Sequence, residues 1–359
     1  MHACVRCVKS SPMSDAGAVT HRILIVGPSW VGDVVMSQCL LKALRIRDPD
    51  APIDVLAPAS VAPLVERMRE VAQVIISPFT HREFRFFERM RLGRSLARRY
   101  SSAYVLPGSW KSALVPFAAG APRRTGYLGE ARWGLLNDIR LMPPSMRRKT
   151  ALAYQALAEP EIFGEPVRLQ TPSIAADPDN RTRLLRQFNL SPVDFVVFVP
   201  GAEFGPAKRW PSKHWIALAE RLDRIGLRIV LLGAKNDAAI GAEIAAGRSG
   251  VLDLTGRTRL EDAIDLISAA RFAVTNDSGL MHVAAALGTK VAAVYGSTSP
   301  EDTPALSPAS RFVSLGLPCS PCRKRVCPLG HFDCLQKLEA AEVARALASL
   351  DSGLASRMA

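Results

Sequence analysis

RFAVTNDSGLMHVAAALGTKVAAVYGST, residues 271–298, places a strand, a turn, a helix and a second strand in one short segment. Residues 272–275 are a brief apolar run that closes on Asn276, Asp277, Ser278 and Gly279. Residues 280–287 are a helix of small and apolar side chains that stops at Gly288, and residues 291–295 are the next buried strand. Asp277 or Ser278 can cap that helix, and Gly279 leaves the backbone bare. A ligand phosphate can therefore reach the free N–H groups at the positive end of the helix dipole. His282 follows one turn in, where an imidazole can hydrogen-bond a phosphate or a sugar hydroxyl. The same residues also suit an ordinary strand-to-helix turn with a satisfied histidine. The stretch thus decides the fold class, α/β with parallel strands, before it decides a function.

The alternation extends backwards from this segment. Strands at 195–199, 228–232 and 251–254 are separated by helices at 214–222 and 237–246, and a helix at 261–270 leads into residues 271–298. After the first of these strands comes PGAEFGPAKRWP, residues 200–211, which sets Lys208 and Arg209 beyond a strand's carboxyl end, where open parallel sheets bind ligands. Such a cation can neutralise a diphosphate, although Lys208 taken alone also reads as a solvated surface charge. The first half repeats the pattern, with a strand at 21–26, the loop GPSWVGD at 27–33 and a helix at 34–45. Pro28 and Trp30 occupy space that the dinucleotide fingerprint must keep slim against a pyrophosphate, so NAD binding is disfavoured. Asp33, at the start of this helix, is either a simple cap or a base facing the cleft. Further short strands at 53–56, 74–76 and 103–106 complete a first wound sheet. Prolines at 172, 178 and 192, around a helical piece at 181–188, mark a junction. The expected organisation is an extension at 1–20 without periodicity and disordered, a first Rossmann-like domain at 21–180 and a second at 190–350, closed by an amphipathic helix at 335–350.

A chain of 359 residues suits two such domains. Its formal charge of +13 points to an anionic partner, whether nucleic acid, a phosphorylated small molecule or an acidic membrane surface. Part of that charge lies in HREFRFFERMRLGRSLARRY, residues 81–100, where Arg82, Arg85, Arg89, Arg91, Arg94, Arg98 and Arg99 interleave with Phe84, Phe86 and Phe87. This composition suits docking on anionic lipid, or a solvated outer face whose aromatics pack on the sheet. Basic groups at Arg123–Arg124 and at 147–149 keep the excess in the first half. No apolar run approaches the ~20 residues needed to cross a bilayer, and residues 1–20 lack the unbroken apolar core of a signal peptide, so the expectation is a cytoplasmic protein. Cys319, Cys322, Cys327 and Cys334 then read as reduced thiols or metal ligands and not as disulfides. They suffice for tetrahedral zinc, though their spacing is not that of a standard paired knuckle.

Four phrases taken in order, GPSWVGD, PGAEFGPAKRWP, NDSGLMHVAAALG and CSPCRKRVCPLGHFDC, closely resemble the ADP-heptose:lipopolysaccharide heptosyltransferases. The resemblance covers roughly residues 21–350. It implies a two-Rossmann, GT-B type glycosyltransferase that inverts the anomeric centre and uses neither a metal nor a cofactor. The implied donor is ADP-heptose, and the implied acceptor is a lipid A-linked inner core, to whose first heptose a second is added. Nucleic acid is then no partner, and the implied location is peripheral to the inner face of the cytoplasmic membrane. The resemblance places the catalytic aspartate on Asp33 and the phosphate-binding lysine on Lys208. It places the donor against Gly201, Ala202 and Lys208, and against Asp277, Ser278, Gly279, Leu280 and His282. Members that differ in acceptor share this donor loop, and an epimerase or a binding protein for nucleotide sugars can share the double sheet.

Overall fold

The computed structural model describes residues 21–79, 83–158 and 168–354. The extension at 1–20, together with His81 and Arg82 of the basic stretch, lies outside the described residues. Two six-stranded sheets account for the architecture, and every strand pair in both is parallel. The first contains β1 (Ile23–Val26), β2 (Ile53–Pro58), β3 (Val71–Ser77), β4 (Ser102–Val105), β5 (Arg123–Tyr127) and β6 (Asp138–Arg140), in the order β3-β2-β1-β4-β5-β6. The second contains β7 (Phe195–Val199), β8 (Arg228–Leu231), β9 (Val251–Asp253), β10 (Phe272–Asn276), β11 (Lys290–Val294) and β12 (Ser310–Val313), in the order β12-β11-β10-β7-β8-β9. Counted within each half, both orders are 3-2-1-4-5-6, the doubly wound arrangement. Its chain reverses direction across the sheet between the first and fourth strands and leaves a crevice there.

The central strands are apolar on both faces because helices cover both. Phe195, Val196, Val197 and Phe198 of β7 are fully buried, and the ILIV of β1 is buried throughout. Strands β5, β6 and β12 were not expected from the sequence. Arg123 and Arg124 belong to β5 and are not a free basic pair: Arg123 pairs with Asp138 at 2.8 Å, and Arg124 Nε donates to the Leu135 carbonyl at 2.7 Å. The last helix is also not continuous. It breaks into Asp333–Gln336 and Ala340–Leu350, with Leu338 buried between them and its carbonyl accepting the indole N–H of Trp210 at 2.8 Å.

The halves meet along the Val31–Arg47 helix after β1 and the Gly279–Ala286 helix after β10, whose apolar faces share one core cluster. The approach is close at two glycines. A Cβ on Gly32 would come within 2.9 Å of His282 Cδ2, and one on Gly279 within 2.8 Å of Val31 Cβ. A second tie crosses the seam at Arg67, whose guanidinium grips the fully buried Asp265 with two bonds of 2.8 and 2.9 Å. Asp265 also accepts the Asp177 N–H at 2.8 Å and the Asn180 amide at 2.7 Å, so the Pro178–Gln187 connecting helix is fastened at the same point.

Candidate active site

In the second half, both motif loops emerge at the crevice between β7 and β10. Asn276, fully buried at the end of β10, donates from Nδ2 to the Pro200 carbonyl at 2.7 Å and accepts the Trp210 N–H at 3.1 Å. One side chain therefore pins both ends of the lysine loop. A Cβ on Gly201 would run into the Asp237 carboxylate, which would have to move aside, and Ala202 is buried beside it. Lys208 ends a 3-10 turn at Pro206–Lys208 and donates from Nζ to Asp277 Oδ2 at 2.6 Å. Its ammonium lies 4.9 Å from the centre of the Phe204 ring. The same Asp277 oxygen accepts the Thr298 hydroxyl at 2.6 Å. Asp277 is thus not a helix cap. Its carboxylate turns away from the helix to hold the lysine. Ser278 does occupy the N-cap position but makes no side-chain cap bond, and its hydroxyl is buried without a partner among the described residues. Gly279 opens the helix, with Leu280 half-buried beside it.

In the first half, the helix after β1 begins earlier than the periodicity suggested. Trp30 is its N-cap residue, which puts Asp33 inside the first turn and rules out the cap reading. Asp33 is half-buried, and burial raises its carboxyl above the ordinary carboxylate range, an effect partly opposed by the charge of Lys208. The acid of the first half and the cation of the second thus sense each other across the seam. The phenol of Tyr154 is pushed well up, first by its own burial and then by the Asp33 charge. His282 lies one turn into the Gly279–Ala286 helix. Only 5 % exposed, it packs against Gly32, and burial drops its pKa to about 4 against the pull of Asp277, so the ring is neutral near pH 7.

The family profile described as Glycosyltransferase family 9 (heptosyltransferase) matches residues 89–333, which hold β4, β5 and β6 of the first sheet and the whole of the second. The chain belongs to glycosyltransferase family 9. It is 46% identical over 306 residues to "Lipopolysaccharide heptosyltransferase 2" of Escherichia coli (strain K12), covering 82% of this chain and 88% of that one. It is 42% identical over 307 residues to "Lipooligosaccharide heptosyltransferase 2" of Haemophilus influenzae, at the same coverages of 82% and 88%. The solved "Structure of E. coli ADP-heptose lps heptosyltransferase II" superposes with a TM-score of 0.81 at 41% identity, covering 94% of this chain and 100% of that one.

In this family 9 chain the cysteine-rich loop serves as a clamp on the lysine loop. Arg325 Nε donates to the Phe204 carbonyl at 2.7 Å, and the Arg325 carbonyl accepts the Ala207 N–H at 3.1 Å. Gly205 must be glycine here: at φ +150° a Cβ would meet that same carbonyl at 2.6 Å. The thiols of Cys319, Cys322, Cys327 and Cys334 are all free. Backbone N–H groups of residues 329–332 turn toward the Cys327 sulfur and lower its pKa. Among the described residues no group of three or more His, Cys, Asp or Glu is placed to hold a metal ion, so the zinc reading gains no support. Asp237, Thr298, Arg325 and Tyr154 were not anticipated as parts of the site. Each reaches it from a different element, and only the cysteine phrase, by its match to the family, pointed towards Arg325. Arg89 is the converse case. Expected on a lipid-facing surface, it is 7 % exposed, with its guanidinium 4.1 Å from the Phe79 ring centre.

Proposed function

We propose that this chain transfers L-glycero-D-manno-heptose from ADP-heptose to the first heptose of the lipopolysaccharide inner core, with inversion and without a metal. The observation that carries this reading is the placement of Asp33 and Lys208. An acid and a cation, one from each half, stand within electrostatic reach at the crevices of two identical wound sheets. An inverting displacement needs a base on the acceptor's side and positive charge on the side of the leaving diphosphate. Asp33 takes the acceptor hydroxyl's proton as the new bond forms, and the upward shift of its pKa by burial makes it a stronger base. Lys208, aimed by Asp277 and steadied by Phe204, meets the diphosphate together with the N–H groups that open at Gly279. Gly201 and Ala202 keep the backbone of the lysine loop low beside the donor. His282 is neutral and contributes shape and a hydrogen bond, not charge. Domains at 21–180 and 190–350 then divide the work, acceptor in the first and donor in the second, and closure about the seam excludes water.

No described helix is long and apolar enough to cross a membrane. The reading therefore includes docking of the first half on the inner leaflet of the cytoplasmic membrane. Phe87 is 84 % exposed beside the exposed Arg91, Arg94 and Arg98, which supports this. Arg85 is tied to Glu88, and Arg99 lies against the Asp54 carboxylate at 3.7 Å. The functional test is incubation with ADP-heptose, with and without heptosyl-Kdo2-lipid A, followed by separation of the products. Release of ADP together with a heptose-extended acceptor is expected. A modified nucleotide sugar formed without acceptor would overturn the reading.

A further inference from the structure

The chain has five tyrosines, and four of their phenol oxygens are bonded within the fold. Tyr100 donates to Asp54 Oδ2 at 2.9 Å, Tyr127 to the Ala153 carbonyl at 2.7 Å and Tyr295 to the Thr303 carbonyl at 2.9 Å, while the Tyr104 oxygen accepts an Arg47 N–H at 2.7 Å. Tyr154 is the exception, with a hydroxyl that bonds none of the described residues. It is nevertheless firmly placed, half-buried on the Thr150–Gln155 helix. The Ala153 carbonyl before it holds Tyr127, and the Gln155 side chain after it accepts the Gln170 N–H at 2.8 Å and donates to the Arg168 carbonyl at 3.2 Å. The Tyr154 ring packs against the cluster of Met36, Cys39 and Ala151.

Met36 follows Asp33 by one turn of the Val31–Arg47 helix, and side chains on a helix lean toward its N-terminus, so the Met36 side of that helix leads to the Asp33 carboxylate. Burial first, and then the Asp33 charge, hold the proton on the Tyr154 oxygen, so near pH 7 the phenol is a donor. A donor left without a partner in a half-dry site costs stability, and the other four phenols avoid that cost. We propose that Tyr154 is a further residue of the acceptor site, whose phenol donates to an oxygen of the acceptor sugar beside the hydroxyl that Asp33 deprotonates. Two points of contact, base and phenol, then fix the rotation of the sugar as well as its distance, where the base alone would fix only distance. The assignment rests on the reading above that Asp33 is the base and that the first half takes the acceptor.

The test compares wild type with Tyr154→Phe, which removes one oxygen and keeps the packed ring. Both are assayed on the intact acceptor and on a set of acceptors that each lack one of the non-reacting hydroxyls of the terminal heptose, with melting curves and ADP titrations as controls of folding and donor binding. On the intact acceptor Tyr154→Phe is expected to lower kcat/KM for acceptor by roughly 3–10-fold, with melting point and ADP affinity unchanged. On one of the deoxy acceptors the wild type should show the same loss and Tyr154→Phe should lose nothing further, a signature that a merely structural tyrosine does not give. Wild-type kcat/KM in Tyr154→Phe overturns the proposal. So does an equal further loss in Tyr154→Phe on every acceptor of the set, which would put the phenol on Asp33 and not on the sugar. Undiminished wild-type kcat/KM on every deoxy acceptor overturns it without any variant, and a Tyr154→Phe that fails to fold does so too, because the hydroxyl would then be engaged in the fold. Transfer by the wild type to the intact acceptor is scored first. Its absence would sink the functional reading and this one together, whereas transfer that Tyr154→Phe leaves unaffected sinks only this one.

Discussion

Between β7 and β10 the crevice is occupied by side chains that satisfy one another: Lys208 bonds Asp277, Thr298 bonds the same carboxylate oxygen, and Asn276 pins the loop from beneath. Between β1 and β4, on the same strand order, the equivalent space stays open, and its buried cation, Arg89, meets the Phe79 ring and the carbonyl oxygens of residues 83 and 84. Strand order determines where a crevice forms, and the loops then determine whether it is prepared for charge by internal pairing or by an arriving partner. The second crevice is pre-organised, with a lysine aimed before any ligand arrives. The first is built to be completed.

If the first crevice carries the proton transfer, Asp33→Asn should show the largest effect, a fall in turnover of roughly 10²–10⁴-fold with ADP still bound. Stability separates this from a cap role. Folding raises the Asp33 pKa, so the folded state holds its proton more tightly and the charged carboxylate subtracts stability as pH rises past that pKa. The neutral amide should therefore melt no lower than wild type at neutral pH, and a lower melting point would return Asp33 to a structural role. The acid limb of kcat/KM should also lie above the ordinary carboxylate range.

If the second crevice carries the leaving charge, Lys208→Ala should lower kcat/KM for the donor by about 10–100-fold, the scale of one charge-assisted bond. Asp277→Asn should act in the same direction but less, and the double variant should be no worse than Lys208→Ala alone, since the acid works through the lysine. Full additivity would show Asp277 meeting the donor independently. Wild-type rates should survive EDTA, and their loss would mean that a metal shares the lysine's task.

The smallest effect belongs to the outer face of the first half. Replacing Arg91, Arg94 and Arg98 by Gln should weaken pelleting with anionic vesicles at low salt by roughly 1 kcal/mol per arginine and leave kcat on a soluble, deacylated acceptor unchanged. Equal pelleting of the two proteins would leave the basic excess to the acceptor's own anions.

Much of this contrast is legible in the sequence, though unevenly. The strands that pair on both sides, such as β7 and β10, are continuous apolar runs and stand out. Strands β5, β6 and β12, at or next to the ends of their sheets, are short and carry arginines, so nothing in their periodicity separates them from loops. Asp33 and Lys208 are visible because each follows a strand at the spacing a crevice requires. The direction in which Asp277 turns is not, since it depends on Thr298 and Lys208 arriving from segments far along the chain. Arg89 was misread for a related reason. Its helix face is set by the aromatic ring of Phe79 and the carbonyls of residues 83 and 84, whereas composition registers only a basic stretch.

The glycine seam has a bearing on how such enzymes can be recombined. Gly32 belongs to the half that carries the base, and Gly279 to the half that carries the lysine; each is bare where the other half presses on it. A chimera that joins the first half of one family member to the second half of another keeps both sheets intact. It can nevertheless lose the alignment of base and diphosphate if either glycine is exchanged for a larger residue. Grafting a new acceptor preference onto this donor half therefore depends less on where the connecting chain is cut than on carrying Gly32, Gly279 and the ring of His282 together as one inherited surface.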